Sequence, residues 1–269
     1  MSRRLPAAAI LAAVMRALVR EVSPRLALCE LSHLAREPID AALAARQHRG
    51  YTALLQELGC RLEWLPPLPQ HADGVFVEDA AVLLPELAVI TRPGVASRRG
   101  ETASVAAALE PHLPLTQIGA PGCLDGGDVL QIGPTLFVGR SARSNEAGIA
   151  QLAAALAPCG YRVLGVALSG CLHLKSACTF IPPDILLVNP EWVDPAVFNT
   201  ARVIAVAPGE PYGANTLTVA GTTLVSAAYP LTAQRLASAG VRTQSLEVGE
   251  LHKAEAALTC LSLILGGES

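Results

Sequence analysis

The chain reads as an α/β protein in which the order strand, helix, strand, hairpin recurs about five times along its 269 residues. Three observations predict this. Short apolar runs alternate with stretches of helical spacing from one end to the other. Breakers such as Pro85-Glu86, Gly133-Pro134, Pro182-Pro183-Asp184 and Ala220-Gly221 fall between paired runs, as hairpin turns require. Hydrophobic residues make up 51% but aromatics only 4%, so the core is built from Ala, Leu and Val, side chains small enough for helices to lie close on sheets.

Residues 14–19 read as the first strand, and 23–37 as irregular, broken by Ser23-Pro24 and Glu37-Pro38. Pro38 suits a helix start, and residues 39–58 keep helical spacing up to Gly59 as the stop. A strand follows over 61–65. Residues 75–77 and 80–84 turn at Pro85-Glu86 into 87–91, a hairpin followed by a helix over 101–109 and a strand over 115–118. Strands at 129–132 and 136–139 flank Gly133-Pro134, with a helix at 145–156 and a strand at 162–166. The order returns as a hairpin over 178–181 and 185–188, a short helix over 191–200 and a strand over 202–206. It returns once more as strands 216–219 and 223–226, a helix over 230–239 and a strand over 243–246. A short helix over 250–256 and a last strand over 260–265 complete the chain. The linkers are short, and no sequence identity joins the units, so residues 1–269 are taken as one domain with 1–13 a flexible N-terminal extension.

Charge narrows the function. The net charge is −3 with scattered arginines, which argues against nucleic acid, whose phosphates need clustered Lys and Arg. No run reaches the ~18 uncharged apolar residues of a membrane span. The apolar run after Arg3-Arg4 is too short and too soon followed by Arg16 for a signal peptide. Seven cysteines form no CxxC pair and cannot all pair within one chain, so reduced thiols in the cytoplasm are expected. Neither a Gly-x-Gly-x-x-Gly fingerprint nor a Walker loop occurs.

The residues able to carry chemistry are individually ambiguous. Asp73, Glu78 and Asp79 crowd around Val75-Phe76-Val77. On a strand, Glu78 and Asp79 would point to opposite faces, so a solvated strand end is their ordinary reading. Asp125-Gly126-Gly127-Asp128 is an ordinary turn or a place where backbone approaches closely. His173 in an apolar setting is a core histidine or a proton carrier, and Cys260 a buried inert thiol or a nucleophile. Cys171-x-His173 with Cys178 matches no standard zinc spacing.

Taken together and in order, these stretches resemble a family. Phe76-Val77-Glu78-Asp79-Ala80, Ile90-Thr91-Arg92-Pro93-Gly94, Ser97-Arg98-Arg99-Gly100-Glu101, Leu124-Asp125-Gly126-Gly127-Asp128, Gly139-Arg140-Ser141-Ala142-Arg143-Ser144-Asn145, His173-Leu174-Lys175-Ser176 and Leu258-Thr259-Cys260 are similar to dimethylarginine dimethylaminohydrolase over nearly the whole chain. The resemblance implies the pentein fold, a five-bladed pseudo-symmetric α/β propeller of ββαβ units. It implies hydrolysis of free asymmetric dimethylarginine or monomethylarginine to citrulline plus an amine, with no cofactor and no metal. Cys260 matches the nucleophile, His173 the catalytic histidine and Asp125 the acid that orients it. Glu78 and Asp79 match acids that hold the guanidinium group. Arg98 and Arg143 match the pair on the substrate carboxylate, and Asp73 an acceptor for the α-amino group. Ala254 matches a backbone-carbonyl position, Leu31 the lid residue, and Glu255 stands where Asp is usual.

The residues leave two other readings open. One keeps the scaffold but takes arginine or another guanidine, as deiminases and amidinotransferases do. The other is a non-catalytic methylarginine-binding protein, although binding alone needs no nucleophile. A small-molecule partner and a monomer or homodimer, free of nucleic acid and membrane, are expected. Any metal at Cys260 and His173 is expected to inhibit.

Overall fold

The computed structural model describes residues 15–200 and 202–266. The expected extension over 1–13 lies outside the described residues. Within them the chain forms five three-stranded sheets.

The first sheet pairs β1 (Arg16–Val19) in parallel with β2 (Arg61–Trp64) across α1 (Ala41–Glu57). The second runs β3 (Ala81–Leu83), β4 (Ala88–Ile90), α2 (Thr102–Leu109), β5 (Leu115–Gln117). The third runs β6 (Val129–Ile132), β7 (Thr135–Arg140), α3 (Glu146–Leu156), β8 (Arg162–Ala167). The fourth follows a helical turn, α4 (Leu174–Ala177), with β9 (Cys178–Ile181), β10 (Ile185–Val188) and β11 (Arg202–Ala205). The fifth runs β12 (Leu217–Val219), β13 (Thr222–Ser226), α5 (Pro230–Ser238), β14 (Thr243–Leu246). After α6 (Gly249–His252), β15 (Leu263–Leu265) pairs antiparallel with β1 and so closes the ring.

In four of the sheets an antiparallel hairpin is followed by a crossover to a parallel outer strand, and in the first β15 takes the place of the hairpin's first strand. The parallel pairing demands a long connection, which a helix supplies. Among the middle strands, β10 (Ile-Leu-Leu-Val) is a continuous apolar run buried throughout. Outer strands such as β2 and β14 show intermediate and exposed positions.

Helix starts follow local chemistry. The Asp40 carboxylate caps α1 by accepting from Leu43 N, and Asn145 caps α3 by accepting from Gly148 N. Three expectations are corrected. The helix over 191–200 is only a 3-10 turn, Pro195–Phe198, because Asp194 and Pro195 start it late and Asn199 ends it in the left-handed region. The strand expected over 260–265 begins at Leu263, and Cys260 lies in a 3-10 turn, Thr259–Leu261. Residues 77–80, expected at strand ends, form the 3-10 turn Val77–Ala80. Runs of apolar residues this short do not distinguish a strand from a helical turn.

The apolar core sits between blades. Leu109 and Val105 of α2 pack with Leu18 of β1 and Ala88 of β4, while Leu236 of α5 packs with Ile185, Leu187 and Val225. The helices cover the sheets from outside, which leaves the middle of the ring to polar side chains.

Candidate active site

Every inner strand is entered through a short turn or loop that delivers polar residues to the middle. Glu78 and Asp79 precede β3, Asp125 to Asp128 precede β6, and His173 precedes α4 and β9. Asn215 and Thr216 precede β12, and Cys260 precedes β15. All are buried. In a 3-10 turn adjacent side chains diverge by about 120° rather than 180°, so Glu78 and Asp79 serve neighbouring parts of one centre. The ordinary solvated-end reading of these acids does not hold.

His173 Nε2 bonds Asp125 Oδ2 at 3.1 Å, and its Nδ1 lies 3.9 Å from Asp79 Oδ1. Asp125 Oδ1 accepts from Gly94 N at 2.9 Å, which fixes the carboxylate plane. Gly127 explains the Gly-Gly step: a Cβ there would stand 2.7 Å from His173 Nδ1 and 2.9 Å from Asp79 Oδ1. Asp128, fully buried, accepts from Ser141 Oγ (2.5 Å), Ser144 Oγ (2.6 Å) and Leu174 N (3.0 Å), and so pins the backbone beside His173. Burial alone would lower the imidazole, but Asp79, Asp128 and Asp125 outweigh it and raise His173 to about 9. Burial raises Asp128 to about 6 against His173 and the two serine hydroxyls. Asp79 is opposed by burial yet held at about 2 by His173 and Arg98.

The Cys260 turn is tied to the Glu78 turn. Thr259 Oγ1 donates to Glu78 Oε2 at 2.6 Å, and Lys175 Nζ donates to Glu78 Oε1 at 2.7 Å. Asn215 joins the two: its Nδ2 donates to Lys175 O and Thr259 Oγ1, both at 3.0 Å, and its Oδ1 accepts from Thr259 N at 3.1 Å. Cys260 Sγ accepts from Ala257 N at 3.5 Å. Burial, then the charges of Glu78 and Asp79, push the thiol well above its ordinary value. Both shifts favour a thiol and an imidazolium at rest.

The arginines differ. Arg143 is buried, with Nη1 3.8 Å from Asp125 Oδ2 and Nη2 donating to Ser32 Oγ at 3.1 Å. Arg98 spends its donors on Asp79 (2.5 Å), Glu101 (2.9 Å) and the Phe76 carbonyl (3.1 Å). To grip a substrate carboxylate, as the resemblance implies, it would have to give up one of these; its geometry makes it the clamp on Asp79. Asp73, raised to about 6 by burial against the pull of Arg98, accepts from Glu30 N at 3.2 Å. Leu31 is partly buried and Ala254 buried in the apolar cluster that includes Cys260. The side chain of Glu255 reaches the loop that carries Leu31. Lys175, Asn215 and Thr259 were not singled out by sequence. Lys175 and Thr259 lie inside the two short motifs around His173 and Cys260, whereas Asn215 carries no local signal.

Asp79, Asp125 and His173 could offer a metal three ligand atoms within 4.8 Å of one another. Cys171, Cys178 and Cys260 do not join this group. Asp79 already accepts from Arg98 and from Gly127 N (3.0 Å), so the set is satisfied by N–H donors. Open clefts lie on the outside of the ring, one between α1 and β14 and one beside α5. The side chains of the central site are buried.

Five ββαβ blades around buried Cys, His and carboxylate groups define a pentein, the guanidine-modifying class of α/β propellers. No family model matches the chain. It is 42% identical over 253 residues to the N(G),N(G)-dimethylarginine dimethylaminohydrolase of Streptomyces coelicolor, covering 93% of this chain and 96% of that protein. It is 34% identical over 234 residues to the Pseudomonas aeruginosa protein of the same name, covering 86% and 91%. It is also similar to a solved structure of the Pseudomonas aeruginosa protein, a Cys-to-Ser variant complexed with citrulline, with a TM-score of 0.88 and 31% identity over 93% of this chain and 98% of that one. The chain belongs to the dimethylarginine dimethylaminohydrolase family. No helix among the described residues is long and apolar enough to cross a membrane.

Proposed function

We propose that this chain hydrolyses free asymmetric dimethylarginine or monomethylarginine to citrulline and dimethylamine or methylamine, with Cys260 as nucleophile. One observation carries the proposal. The Cys260 turn and His173 both close on the Glu78–Asp79 turn, through Thr259 to Glu78 at 2.6 Å and His173 to Asp79 at 3.9 Å. A cationic carbon held by these carboxylates would lie between a thiol and an imidazolium.

A guanidinium cation entering the site offsets the charges that hold the thiol up, so the S–H proton is lost to solvent as the cation binds and the thiolate forms. The sulfur attacks the guanidinium carbon and a tetrahedral adduct forms. His173, protonated at rest, gives its proton to the departing methylated nitrogen. The amine leaves and a thiouronium remains on Cys260. Neutral His173 then takes one proton from the attacking water, and the C–S bond breaks with its electron pair going to sulfur. The remaining hydroxyl proton passes to that thiolate, and the ureido group of citrulline is released with Cys260 a thiol and His173 protonated again. Asp125 fixes the ring and stabilises its charged form.

Arg143 is assigned to the α-carboxylate and Asp73 to the α-amino group, which selects a free amino acid over an arginine inside a protein. A cytoplasmic location is part of the proposal, because an odd number of cysteines cannot all pair within one chain. No step calls for a cofactor. Incubation with asymmetric dimethylarginine should yield citrulline and dimethylamine in equal amounts, and Cys260→Ser should abolish both. Well-folded protein that forms neither rejects the proposal; faster ammonia release from arginine would move the reaction to a deiminase.

A further inference from the structure

We infer that Glu255 is a positioning residue whose carboxylate anchors the loop of residues 29–34 over the amino-acid end of the site, and so sets how tightly substrate is held. This rests on the hydrolase reading above. Three successive backbone donors of the loop converge on the one side chain. Ser32 N donates to Glu255 Oε2 at 2.8 Å, His33 N donates to Oε1 at 2.5 Å, and Leu34 N donates to the same oxygen. Consecutive N–H groups facing one anion form a nest, and here the anion is a side chain 221 to 223 residues away in sequence.

Glu255 is held in an unusual way to do this. Its φ is +56°, a left-handed conformation that is uncommon for a residue other than Gly, Asn or Asp. It follows α6, and its N–H donates to His252 O at 3.0 Å, so its base is part of the segment that leads to Cys260.

The loop meets the two groups assigned to the substrate's amino-acid end. Glu30 N donates to both oxygens of Asp73, at 3.3 and 3.2 Å, and Ser32 Oγ accepts from Arg143. Leu31, between them, is partly buried against the cluster that holds Ala254 and Cys260. An incoming ammonium and carboxylate would compete with the loop for Asp73 and Arg143. The Glu255 bonds involve neither group and can persist while those contacts are exchanged. They keep the loop near the pocket through that exchange. The anchor touches no atom of His173 or Cys260 in the hydrogen-bond network, so its loss should act on binding rather than on chemistry.

Two variants of the full-length protein test this. Glu255→Gln keeps the length but removes the charge; Glu255→Gly removes the arm and suits the left-handed backbone, so it should not unfold the chain. Amide hydrogen exchange without substrate should show the 32–34 amides exchanging at least tenfold faster in the Gly variant, and faster in the Gln variant. With dimethylarginine, KM should rise at least fivefold in the Gly variant while kcat stays within about twofold. Glu255→Asp should fall between wild type and Gln, because it keeps the charge on a shorter arm. Unchanged exchange in both variants overturns the inference, as does faster exchange with an unchanged KM. If the wild-type protein forms no citrulline, the proposed reaction fails, while the exchange measurement still decides the anchor.

Discussion

Asp125→Asn tests the proton inventory of the site directly. Asp125 is fully buried, and each of its oxygens accepts one N–H: Oδ1 from Gly94 at 2.9 Å and Oδ2 from His173 at 3.1 Å. An amide has one oxygen. If it stays on Gly94 N, the NH2 faces His173 Nε2, which must then be an acceptor, and the ring is forced neutral. If the oxygen turns to His173, the NH2 meets the Gly94 N–H, and a buried donor goes unsatisfied at a cost of about 1–3 kcal/mol. Either way a carboxylate charge is lost next to an imidazole that three carboxylates raise to about 9. Replacing a charge-assisted bond by a neutral one is worth about 1.5 kcal/mol, hence roughly one pKa unit. Titrating His173 by imidazole NMR should show its midpoint displaced downward by about that unit or more. A folded variant in which His173 still titrates near the wild-type value refutes the assignment of Asp125 as its partner.

Other perturbations read other parts of the site. Gly127→Ala drives a methyl against His173 Nδ1 and Asp79 Oδ1 and should cost about 1–3 kcal/mol in urea unfolding, together with a loss of kcat; unchanged kcat would mean the ring has room to move. Asn215→Ala leaves Thr259 N and the Lys175 carbonyl without a partner, and should destabilise by roughly 1–3 kcal/mol and lower kcat/KM more than a surface change. Stability should depend on pH at both ends. His173 is raised, so its contribution is complete below about 6.5 and is lost as pH rises through about 9. Asp79 is lowered, so its contribution is complete above about 4 and is lost as pH falls through about 2. Urea midpoints across pH in Asp79→Asn and His173→Gln should flatten the acid and alkaline limbs, each in its own variant.

Much of this architecture was legible in the sequence, and the reasons differ by element. The hairpins at 178–188 and 217–226 could be read because Pro182-Pro183 and Ala220-Gly221 separate clear apolar runs. The turns that carry Glu78 and Cys260 could not, because three or four apolar neighbours fit a strand and a 3-10 turn equally well. Cys260 and His173 were reachable through short motifs that resemble a family. Arg98 shows where a motif stops being informative. Sequence places the arginine, but only the fold reveals that Asp79 and Glu101 already occupy it. Asn215 lies between blades four and five, 44 residues from Thr259, and a contact of that kind leaves no local trace. Glu255 reaching Ser32 is the extreme case, a contact between opposite ends of a chain that closes on itself.

The ring closure itself explains why charge can be gathered here at all. Because the apolar packing lies between blades and under the outer helices, the centre is bounded by backbone turns that offer N–H donors and leave room for carboxylates. Asp73, Glu78, Asp79, Glu101, Asp125 and Asp128 are gathered there with Arg98, Arg143, Lys175 and His173, while Arg20 and His71 stand beside Glu101. In a buried setting, nearby negative charge raises an acid that can keep its proton. Cys260 is the group that keeps it, its thiol held up by burial, Glu78 and Asp79. A neutral ligand would leave that balance as it is. A cation would reverse it at the sulfur, so the same carboxylates that keep the empty site unreactive would let a guanidinium substrate ionise its own nucleophile. Alkylation of Cys260 by iodoacetamide should therefore be slow in the empty protein at neutral pH, slower than at exposed Cys159, and should remain slow with citrulline bound. Rapid alkylation of Cys260 in the empty protein would show that the thiolate exists before any cation arrives, and that Glu78 and Asp79 do not govern it.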